Sequence, residues 1–348
     1  MGPTGQARVV QIHPTRRCNL RCLHCYSSSS PDQRDMLDST LLFDALTDAA
    51  RAGYNWASIS GGEPLMYPSL AALLAHARAC GMQTAIATNG MLLDARRLDA
   101  IADVTDLIAI SVDGVPASHN AIRGSARAFE VMAARLESLR ARNMHFGFIF
   151  TLTQHNLHEL EWVVQFALEQ GAKLVQVHPL EEVGHAEQNM AGASPDDIET
   201  AYAWLLGRQL QQVVEGKLSI QVDLVFSEAL KANPAMVFAA AAAGGGTIPF
   251  AEIVSPLIIE ADASVVPLQY GFPRAYALGN LKQARLDTLM ASWRIQRQAD
   301  FYQLCGDAYQ QVAQASKPYF LSWYDLVARS GRPSARPDQQ RAAGAASG

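Results

Sequence analysis

The chain has 348 residues, of which 49% are hydrophobic and 18% charged, and its formal net charge is −5. This is enough for a large buried core in one α/β unit or two domains, and the acidic balance disfavours broad binding to a nucleic-acid backbone. No run of about 18 apolar residues predicts a membrane span, and the start lacks the basic-then-apolar pattern of a signal peptide. We therefore expect a cytoplasmic protein with neither membrane nor nucleic-acid partners.

Short β-branched runs alternate with helical patterns in the first half, which predicts a parallel sheet covered by helices. Six strand segments follow one another between residues 8 and 184: "RVVQIHPT", "WASISGGEP", "QTAIATNG", "DLIAISVDG", "HFGFIFTLT" and "KLVQVHPLEEVG". A full TIM barrel has eight strands. The sequence therefore predicts a partial (β/α)6 TIM-like barrel within an α/β fold.

The pattern changes after residue 184. "SPDDIETAYAWLLGRQLQQVVEGK" predicts a long helix capped by Ser194, and "LSIQVDLVF" predicts one strand. Strands and turns follow over 252–281, and helices resume near Asp287. We expect a barrel core over 1–190, a linking region over 191–250, a smaller C-terminal α+β domain over 251–330 and a disordered tail over 331–348.

Three of the five cysteines stand together in "RRCNLRCLHCY", residues 16–26, at the spacing C-x3-C-x2-C. In a reducing compartment, clustered cysteines indicate metal ligands. A structural zinc site needs four protein ligands, which His24 or His13 would have to complete, because Cys80 and Cys305 stand alone. An iron–sulfur cluster held by three cysteines instead leaves one iron open to an external ligand. The spacing favours this second interpretation.

The cysteine motif after the first strand of a partial barrel resembles the signature of the radical S-adenosylmethionine (SAM) enzymes. The resemblance implies that Cys18, Cys22 and Cys25 bind one [4Fe-4S] cluster, whose open iron is chelated by SAM. It also implies that the reduced cluster cleaves SAM to a 5′-deoxyadenosyl radical that abstracts hydrogen. A reductant such as flavodoxin or ferredoxin is the partner that this chemistry requires.

Three further motifs end successive strands as in that family: "GGEP" (61–64), "ATNG" (87–90) and "SVDG" (111–114). Barrel enzymes build their sites at the carboxyl ends of strands. By resemblance, the SAM-binding residues are His24, Gly61, Gly62, Glu63, Pro64, Asn89, Ser111, Asp113 and Arg123. Glu63 would accept from the methionyl ammonium, Arg123 would meet the methionyl carboxylate, and His24 would lie near the adenine.

The segments "LIIEADASVVPLQYGF" (257–272) and "LGNLKQARLDTLMASW" (278–293) resemble the SPASM or twitch domain of one branch of the family. Leu268 stands where that domain has a cysteine after Pro267, and Cys305 is the only thiol in the region. We expect a degenerate domain without auxiliary clusters. Cys305 is a candidate catalytic hydrogen donor, with a buried structural thiol as the alternative.

The candidate substrate residues are polar or aromatic side chains near the mouth of the barrel: His178, Glu181, Glu182, Tyr270 and Arg274. The sequence predicts a radical SAM enzyme acting on a peptide or natural-product intermediate. A tetrapyrrole or another small metabolite is the alternative substrate. A non-catalytic iron–sulfur scaffold or partner protein is the alternative from another class, although a scaffold has no need of the three SAM motifs.

Overall fold

The structure, a computed structural model, describes residues 6–236 and 248–332. Its first part repeats a strand followed by one or two helices. The strands are β1 (Val9–Ile12), β2 (Trp56–Ile59), β3 (Gln83–Thr88), β4 (Leu107–Ser111), β5 (Phe146–Leu152) and β6 (Leu174–Pro179). The helices are α1 (Ser39–Arg51), α2 (Leu70–Ala79), α3 (Ala95–Ile101), α4 (Pro116–Arg123), α5 (Ala128–Ala141) and α6 (Leu160–Gln170).

The second part is richer in helices. They are α7 (His185–Asn189), α8 (Asp197–Val213), α9 (Ser227–Ala232), α10 (Phe250–Ile253), α11 (Leu286–Gln296), α12 (Gln298–Gln314) and α13 (Trp323–Ser330). The strands are β7 (Ser219–Val222), β8 (Val225–Phe226), β9 (Leu257–Ile259), β10 (Ser264–Pro267), β11 (Gly279–Asn280) and β12 (Phe320–Leu321). Single turns of 3₁₀ helix lie at Pro64–Met66, Ala102–Val104, Leu157–Glu159, Pro234–Met236 and Arg274–Tyr276.

Ten strands form one sheet in the order β11-β10-β9-β1-β2-β3-β4-β5-β6-β7. Neighbours from β9 through β1 to β7 are all parallel, whereas β10 runs antiparallel to both β9 and β11. Within the described ranges, no hydrogen-bonded ladder joins β7 to β11. The predicted α/β fold with six parallel β/α strands is confirmed, and β7 extends the parallel set.

The strands present one buried face and one partly exposed face. In β1, Val10 and Ile12 are fully buried in the same core as Leu42 and Leu46 of α1, so this face packs against helices. The opposite face is only half-buried and carries small or polar side chains, including Gln11, Ser58, Ala109, Ser111, Thr151, Gln176 and His178. The inner side of the curved sheet is therefore polar and accessible.

The helix predicted after residue 184 is α8, but the prediction of Ser194 as its cap is wrong. Asp196 Oδ1 accepts from the backbone N–H groups of Ile198 and Glu199, each at 2.8 Å, and Glu199 accepts from the Asp196 N–H at 2.9 Å. This reciprocal capping box satisfies more backbone donors than a serine does. Ser194 Oγ instead donates to the Leu180 carbonyl.

The run predicted as one strand over "LSIQVDLVF" divides into two. β7 joins β6 in the main sheet, whereas β8 pairs with β12 in a separate two-stranded sheet. Asp223 lies between them, and its carboxylate accepts from the Gln176 and Gln221 side chains at 2.6 and 2.8 Å. Aspartate is unfavourable in strands. The strand therefore ends before Asp223, whose carboxylate binds these side-chain donors.

The C-terminal part continues the main sheet, because β9 pairs with β1. Helices resume at Leu286, as predicted. Two predicted segments lie wholly or partly outside the described residues: the tail from residue 333 onward, and 237–247 of the linking region. In the described part of the chain, no helix is both long and apolar enough to cross a membrane.

Candidate active site at the carboxyl ends of the strands

The loop between β1 and α1 carries the three clustered cysteines. Cys18 and Cys22 are buried and Cys25 is half-buried, and the Cys18 N–H donates to the Ser30 carbonyl at 3.1 Å. Burial, and then the Glu63 carboxylate, raise the pKa of the Cys18 thiol to about 12, and burial also raises the pKa of Cys22. Such thiols become thiolates when a metal supplies positive charge. The donor set therefore fits a metal group.

The three thiols of the loop lie near one another. Cys22 and Cys25 both raise the pKa of Cys18, so the three groups lie close enough to interact. Among residues 6–236 and 248–332, no three His, Cys, Asp or Glu side chains converge on one metal ion. A cluster needs a wider arrangement, because its thiolates bind different irons.

Gly61 and Gly62 hold the end of β2 against the cysteine loop. The Gly62 N–H donates to the Thr15 carbonyl at 2.8 Å, and the Glu63 N–H donates to the Arg17 carbonyl at 2.9 Å. A Cβ on Gly62 would lie 2.2 Å from the Arg17 carbonyl oxygen. These glycines therefore allow the end of β2 to approach the backbone of the cysteine loop closely. Pro64 then begins the 3₁₀ turn that follows.

Gly62→Ala is expected to lower the thermal stability and the iron content of the reconstituted protein. The new methyl group overlaps the Arg17 carbonyl, and such overpacking costs about 1–3 kcal/mol. Gly306→Ala is the matched control, since a Cβ there meets nothing within 4 Å. The measurements are a melting curve and an iron assay. Equal iron content in the two variants would show that this contact does not shape the loop.

Glu63 is fully buried and is held by three donors. Its Oε1 accepts from Thr88 Oγ1 at 2.7 Å and from the Leu65 N–H at 3.1 Å, and its Oε2 accepts from the Asn89 N–H at 3.0 Å. Burial raises the pKa of Glu63. A carboxylate offers about four acceptor positions, so one remains on Oε2 for a ligand.

Asn89 connects the end of β3 to the first cysteine. Its Nδ2 donates to Asn19 Oδ1 at 2.9 Å and lies 3.8 Å from Cys18 Sγ, while its Oδ1 accepts from the Met91 N–H at 3.1 Å. The predicted SAM-binding residue thus also orients a cysteine of the loop.

Asp113 is the centre of a buried charged network that also contacts the cysteine loop. Arg123 Nε donates to Asp113 Oδ2 at 2.6 Å, and Arg123 Nη1 lies 3.8 Å from Cys22 Sγ. His24 Nε2 lies 3.5 Å from Asp113 Oδ1, and the Asp113 N–H donates to His119 Nδ1 at 3.2 Å. Burial alone would raise the pKa of Asp113, but Arg123 and then His24 outweigh it and hold the pKa below its ordinary range.

Several buried polar atoms of this network have no hydrogen-bond partner among the described residues. They are Asp113 Oδ1, His24 Nδ1 and His119 Nε2. Buried polar groups are normally satisfied, so these atoms fit a polar ligand bound between β4 and the cysteine loop. Ser111, half-buried at the end of β4, lies on the same partly open face.

A second polar group, His178 with its carboxylates, lies at the ends of β6 and β7. His178 Nδ1 lies 3.1 Å from Asp223 Oδ2, and His178 Nε2 lies 3.5 Å from Glu181 Oε1. Burial would lower the pKa of His178, but its contacts with Asp223 and Glu181 outweigh burial and raise the pKa to about 10. The His178 side chain is 40% exposed, so this imidazolium faces the open interior.

The segment after β6 folds onto the cysteine loop and brings this second group near the first. The His185 N–H donates to the Cys25 carbonyl at 2.9 Å. Gly184 has φ +64°, and a Cβ there would lie 2.4 Å from the Tyr26 carbonyl oxygen. Glu181 is close enough to contribute to the raised pKa of Tyr26. The polar groups of β6 and β7 therefore border the cysteine loop.

Glu182 and Arg274, two of the remaining predicted substrate residues, each contact other groups of the protein. Glu182 accepts from the N–H groups of Gly192 and Ser194 at 3.0 and 3.3 Å, which orders a neighbouring loop. Arg274 forms an ion pair with the buried Glu260.

Tyr270, in contrast, lies beside the cysteine loop. Its ring packs against His13 and Tyr26, with centroid distances of 4.7 and 5.6 Å. Tyr270 is therefore placed next to the cysteine loop.

Cys305 does not join the site. It lines a cavity of about 310 Å³ with Arg8, Ser255 and Leu268, at the amino ends of β1 and β9. The cysteine loop follows the opposite end of β1, whose four residues rise about 13 Å. Burial raises the pKa of the Cys305 thiol to about 12. This position gives no support to the predicted hydrogen-donor role.

Some site residues were missed by the sequence predictions. Asp223 was read as part of a strand, although an aspartate within an apolar run was a signal available in the sequence. Asn156, whose Nδ2 donates to the Asp113 carbonyl at 3.0 Å, and His119 lie outside the recognised motifs. No local pattern marks either residue.

The cysteine loop and the polar strand ends define a barrel-type site built to hold a metal cluster and a polar ligand. Residues 12–167 match the sequence model of the radical SAM superfamily. This part of the chain is therefore similar to that superfamily, whose members bind a [4Fe-4S] cluster and SAM.

Curated relatives fall into two groups. The chain is 32% identical over 213 residues to pre-heme d1 synthase of Dinoroseobacter shibae, covering 60% of this chain and 52% of the relative. It is 33% identical to Fe-coproporphyrin III synthase of Methanosarcina barkeri over 44% of this chain and 39% of the relative. It is 29% identical to PqqA peptide cyclase of Ruegeria pomeroyi over 59% of this chain and 56% of the relative. These matches span about half of each relative or less.

Solved structures that share the fold include the following two. Streptococcus suis SuiB bound to its precursor peptide SuiA superposes with a TM-score of 0.65 at 13% identity, covering 92% of this chain and 70% of SuiB. The protein anSMEcpe with bound AdoMet superposes with a TM-score of 0.65 at 16% identity, covering 97% of this chain and 99% of that one. At this identity, the likeness concerns the fold alone.

Proposed function

We propose that this chain is a radical SAM enzyme that uses one [4Fe-4S] cluster on Cys18, Cys22 and Cys25. One observation carries the proposal: the three thiols of the loop, two of them buried, lie beside a buried network in which His24 Nδ1 and His119 Nε2 have no hydrogen-bond partner among the described residues. That combination supplies ligands for a cluster and a polar surface for a second ligand. Its location at the carboxyl ends of parallel strands agrees with where such folds place their sites.

The chain's own residues have distinct parts in this proposal. Glu63 has one acceptor position for the methionyl ammonium of SAM, and its three donors fix its orientation. Asp113 holds Arg123 beside Cys22, where the guanidinium adds positive charge to the site. Asn89 orients Cys18. When bound, the cluster and SAM together supply a 5′-deoxyadenosyl radical that abstracts hydrogen from a substrate.

We place His178 and Glu181 at the substrate, together with Tyr270. Gln176 and Gln221 both donate to Asp223, which in turn fixes His178 Nδ1. The Nε2–H is therefore left facing Glu181 and the open interior. A proton held at this atom is available to a substrate that changes its protonation state.

Asp223→Asn is expected to lower the pKa of His178, because the amide removes the charge that stabilises the imidazolium. In the native protein, the raised pKa of about 10 keeps His178 protonated at about pH 8. The ion pairs of His178 therefore stabilise the fold fully below about pH 6.5, and this stabilisation is lost as the pH rises through about 10. A histidine NMR titration measures this, with the exposed His145 as internal control. An unchanged His178 titration in the variant would contradict the assigned contact.

We propose a peptide or another natural-product intermediate as substrate. The fold likeness to SuiB, whose structure contains a bound precursor peptide, and the similarity to PqqA peptide cyclase support this. A tetrapyrrole is the second candidate, because pre-heme d1 synthase and Fe-coproporphyrin III synthase, each more than 30% identical to this chain over the matched region, are among its relatives. We also infer a cytoplasmic setting, where thiols stay reduced, and a one-electron donor such as flavodoxin or ferredoxin.

The test is cleavage of SAM by the anaerobically reconstituted protein with dithionite as reductant. We expect 5′-deoxyadenosine in the wild type and none in Glu63→Ala, which lacks the buried carboxylate. Cluster absorbance without any 5′-deoxyadenosine would favour the non-catalytic scaffold. Adding a candidate peptide or coproporphyrin then distinguishes the two substrate classes by which one is changed.

A further inference from the structure

A groove of about 470 Å³ lies beside the start of the cysteine loop, between the segment after "GGEP" and α3. Its floor is apolar and includes Leu65, Tyr67 and Ile101, all buried, with Met66 half-buried. We call it the arginine groove, because its rim consists of three arginines: Arg17, Arg96 and Arg97.

Two of these arginines form no ion pair in the described part of the chain. They are Arg17 and Arg96, and both are exposed. Arg97, in contrast, pairs with Asp94, the residue that caps α3. The chain as a whole has a net charge of −5, so this rim is a local positive surface on an acidic protein. Such a surface attracts an acidic partner and steers its encounter.

The position of the groove connects it to the proposed cluster. Arg17 immediately precedes Cys18, and its carbonyl accepts from the Glu63 N–H. On the other side, Met91 precedes α3, and its Sδ accepts from Asn19 Nδ2 at 3.5 Å. Both walls of the groove therefore continue directly into residues that surround Cys18.

We propose that the arginine groove docks an acidic protein that carries a one-electron cofactor. This inference rests on the proposed function, because a [4Fe-4S] cluster that cleaves SAM must first receive an electron. The donor is oxidised by one electron and the cluster is reduced by one. The unpaired arginines meet carboxylates of the donor, and the apolar floor packs against its surface at the point closest to Cys18.

The experiment compares a protein reductant with a small one. The wild type, Arg17→Glu/Arg96→Glu and Arg208→Glu are reconstituted, and 5′-deoxyadenosine is measured with reduced flavodoxin or with dithionite. Arg208 is the matched control. Like Arg96, it is an exposed arginine on a helix, but it lies on α8 beside β7. Binding of oxidised flavodoxin is measured separately by surface plasmon resonance.

We expect the double variant to bind flavodoxin about tenfold more weakly and to need correspondingly more of it for half-maximal turnover. The single variant Arg96→Glu should lose part of this binding while keeping its dithionite-dependent rate. Arg208→Glu should match the wild type in both assays. Equal flavodoxin binding by the double variant and the control would overturn the docking surface. Absence of product with dithionite in the wild type would overturn the proposed function instead, whatever the binding result.

Discussion

Cys22→Ala is expected to abolish the iron–sulfur absorbance of the reconstituted protein and its cleavage of SAM. Only five cysteines exist in the chain, and the two outside the loop are distant from it in the fold. Cys80 ends α2, and Cys305 lies at the amino ends of the strands. No other thiol is available to replace Cys22, and a cluster held by two cysteines would lack one of its three protein ligands.

Cys80→Ala is the matched control for this experiment. Cys80 is half-buried, and its Sγ lies 3.9 Å from Thr47 Oγ1 between α1 and α2. This substitution also replaces one cysteine by alanine, but it changes no residue of the cysteine loop. It should keep full iron content and full activity. A Cys22→Ala protein that binds iron as well as Cys80→Ala would defeat the assignment of the cluster ligands.

Asp113→Ala is expected to destabilise the protein and to prevent SAM binding. The substitution leaves the Arg123 guanidinium buried without its carboxylate, whose Oδ2 it meets at 2.6 Å. Removing one partner of a buried ion pair costs about 3–5 kcal/mol. The measurements are the free energy of unfolding in denaturant and SAM binding by calorimetry on the reconstituted protein.

The double variant Asp113→Asn/Arg123→Met separates stability from ligand binding. It removes both charges, so much of the lost stability should return. SAM binding should not return, because the network that includes His24 and Cys22 is then dismantled. Normal SAM affinity in the stable double variant would show that the pair is structural only.

The sequence predicted the six successive β/α strands and the motifs at their ends because both are local signals. Alternating strands and helices specify a parallel sheet, and "GGEP", "TNG" and "SVDG" each follow one strand directly. The folded chain shows what these motifs contact. Gly62 touches the cysteine loop, and Asn89 touches Cys18. These contacts span many residues along the chain, so periodicity alone does not reveal them.

The remaining features depend on tertiary packing. Asp223 meets His178 only because β7 pairs with β6, a pairing that no local pattern in the sequence indicates. Glu182 and Arg274 are polar residues near the predicted mouth, but each is occupied by another contact. The placement of Cys305 follows from α12 packing at the amino ends of β1 and β9. No residue spacing in the sequence indicates that Cys305 lies at the amino ends of these strands.

The most direct test of the central claim is an iron and sulfide count with electron paramagnetic resonance on the anaerobically reconstituted, reduced protein. A single cluster on Cys18, Cys22 and Cys25 predicts about four irons per chain and one signal, which changes when SAM is added. About eight or twelve irons would contradict the single cluster. A signal that does not respond to SAM would contradict the open coordination site.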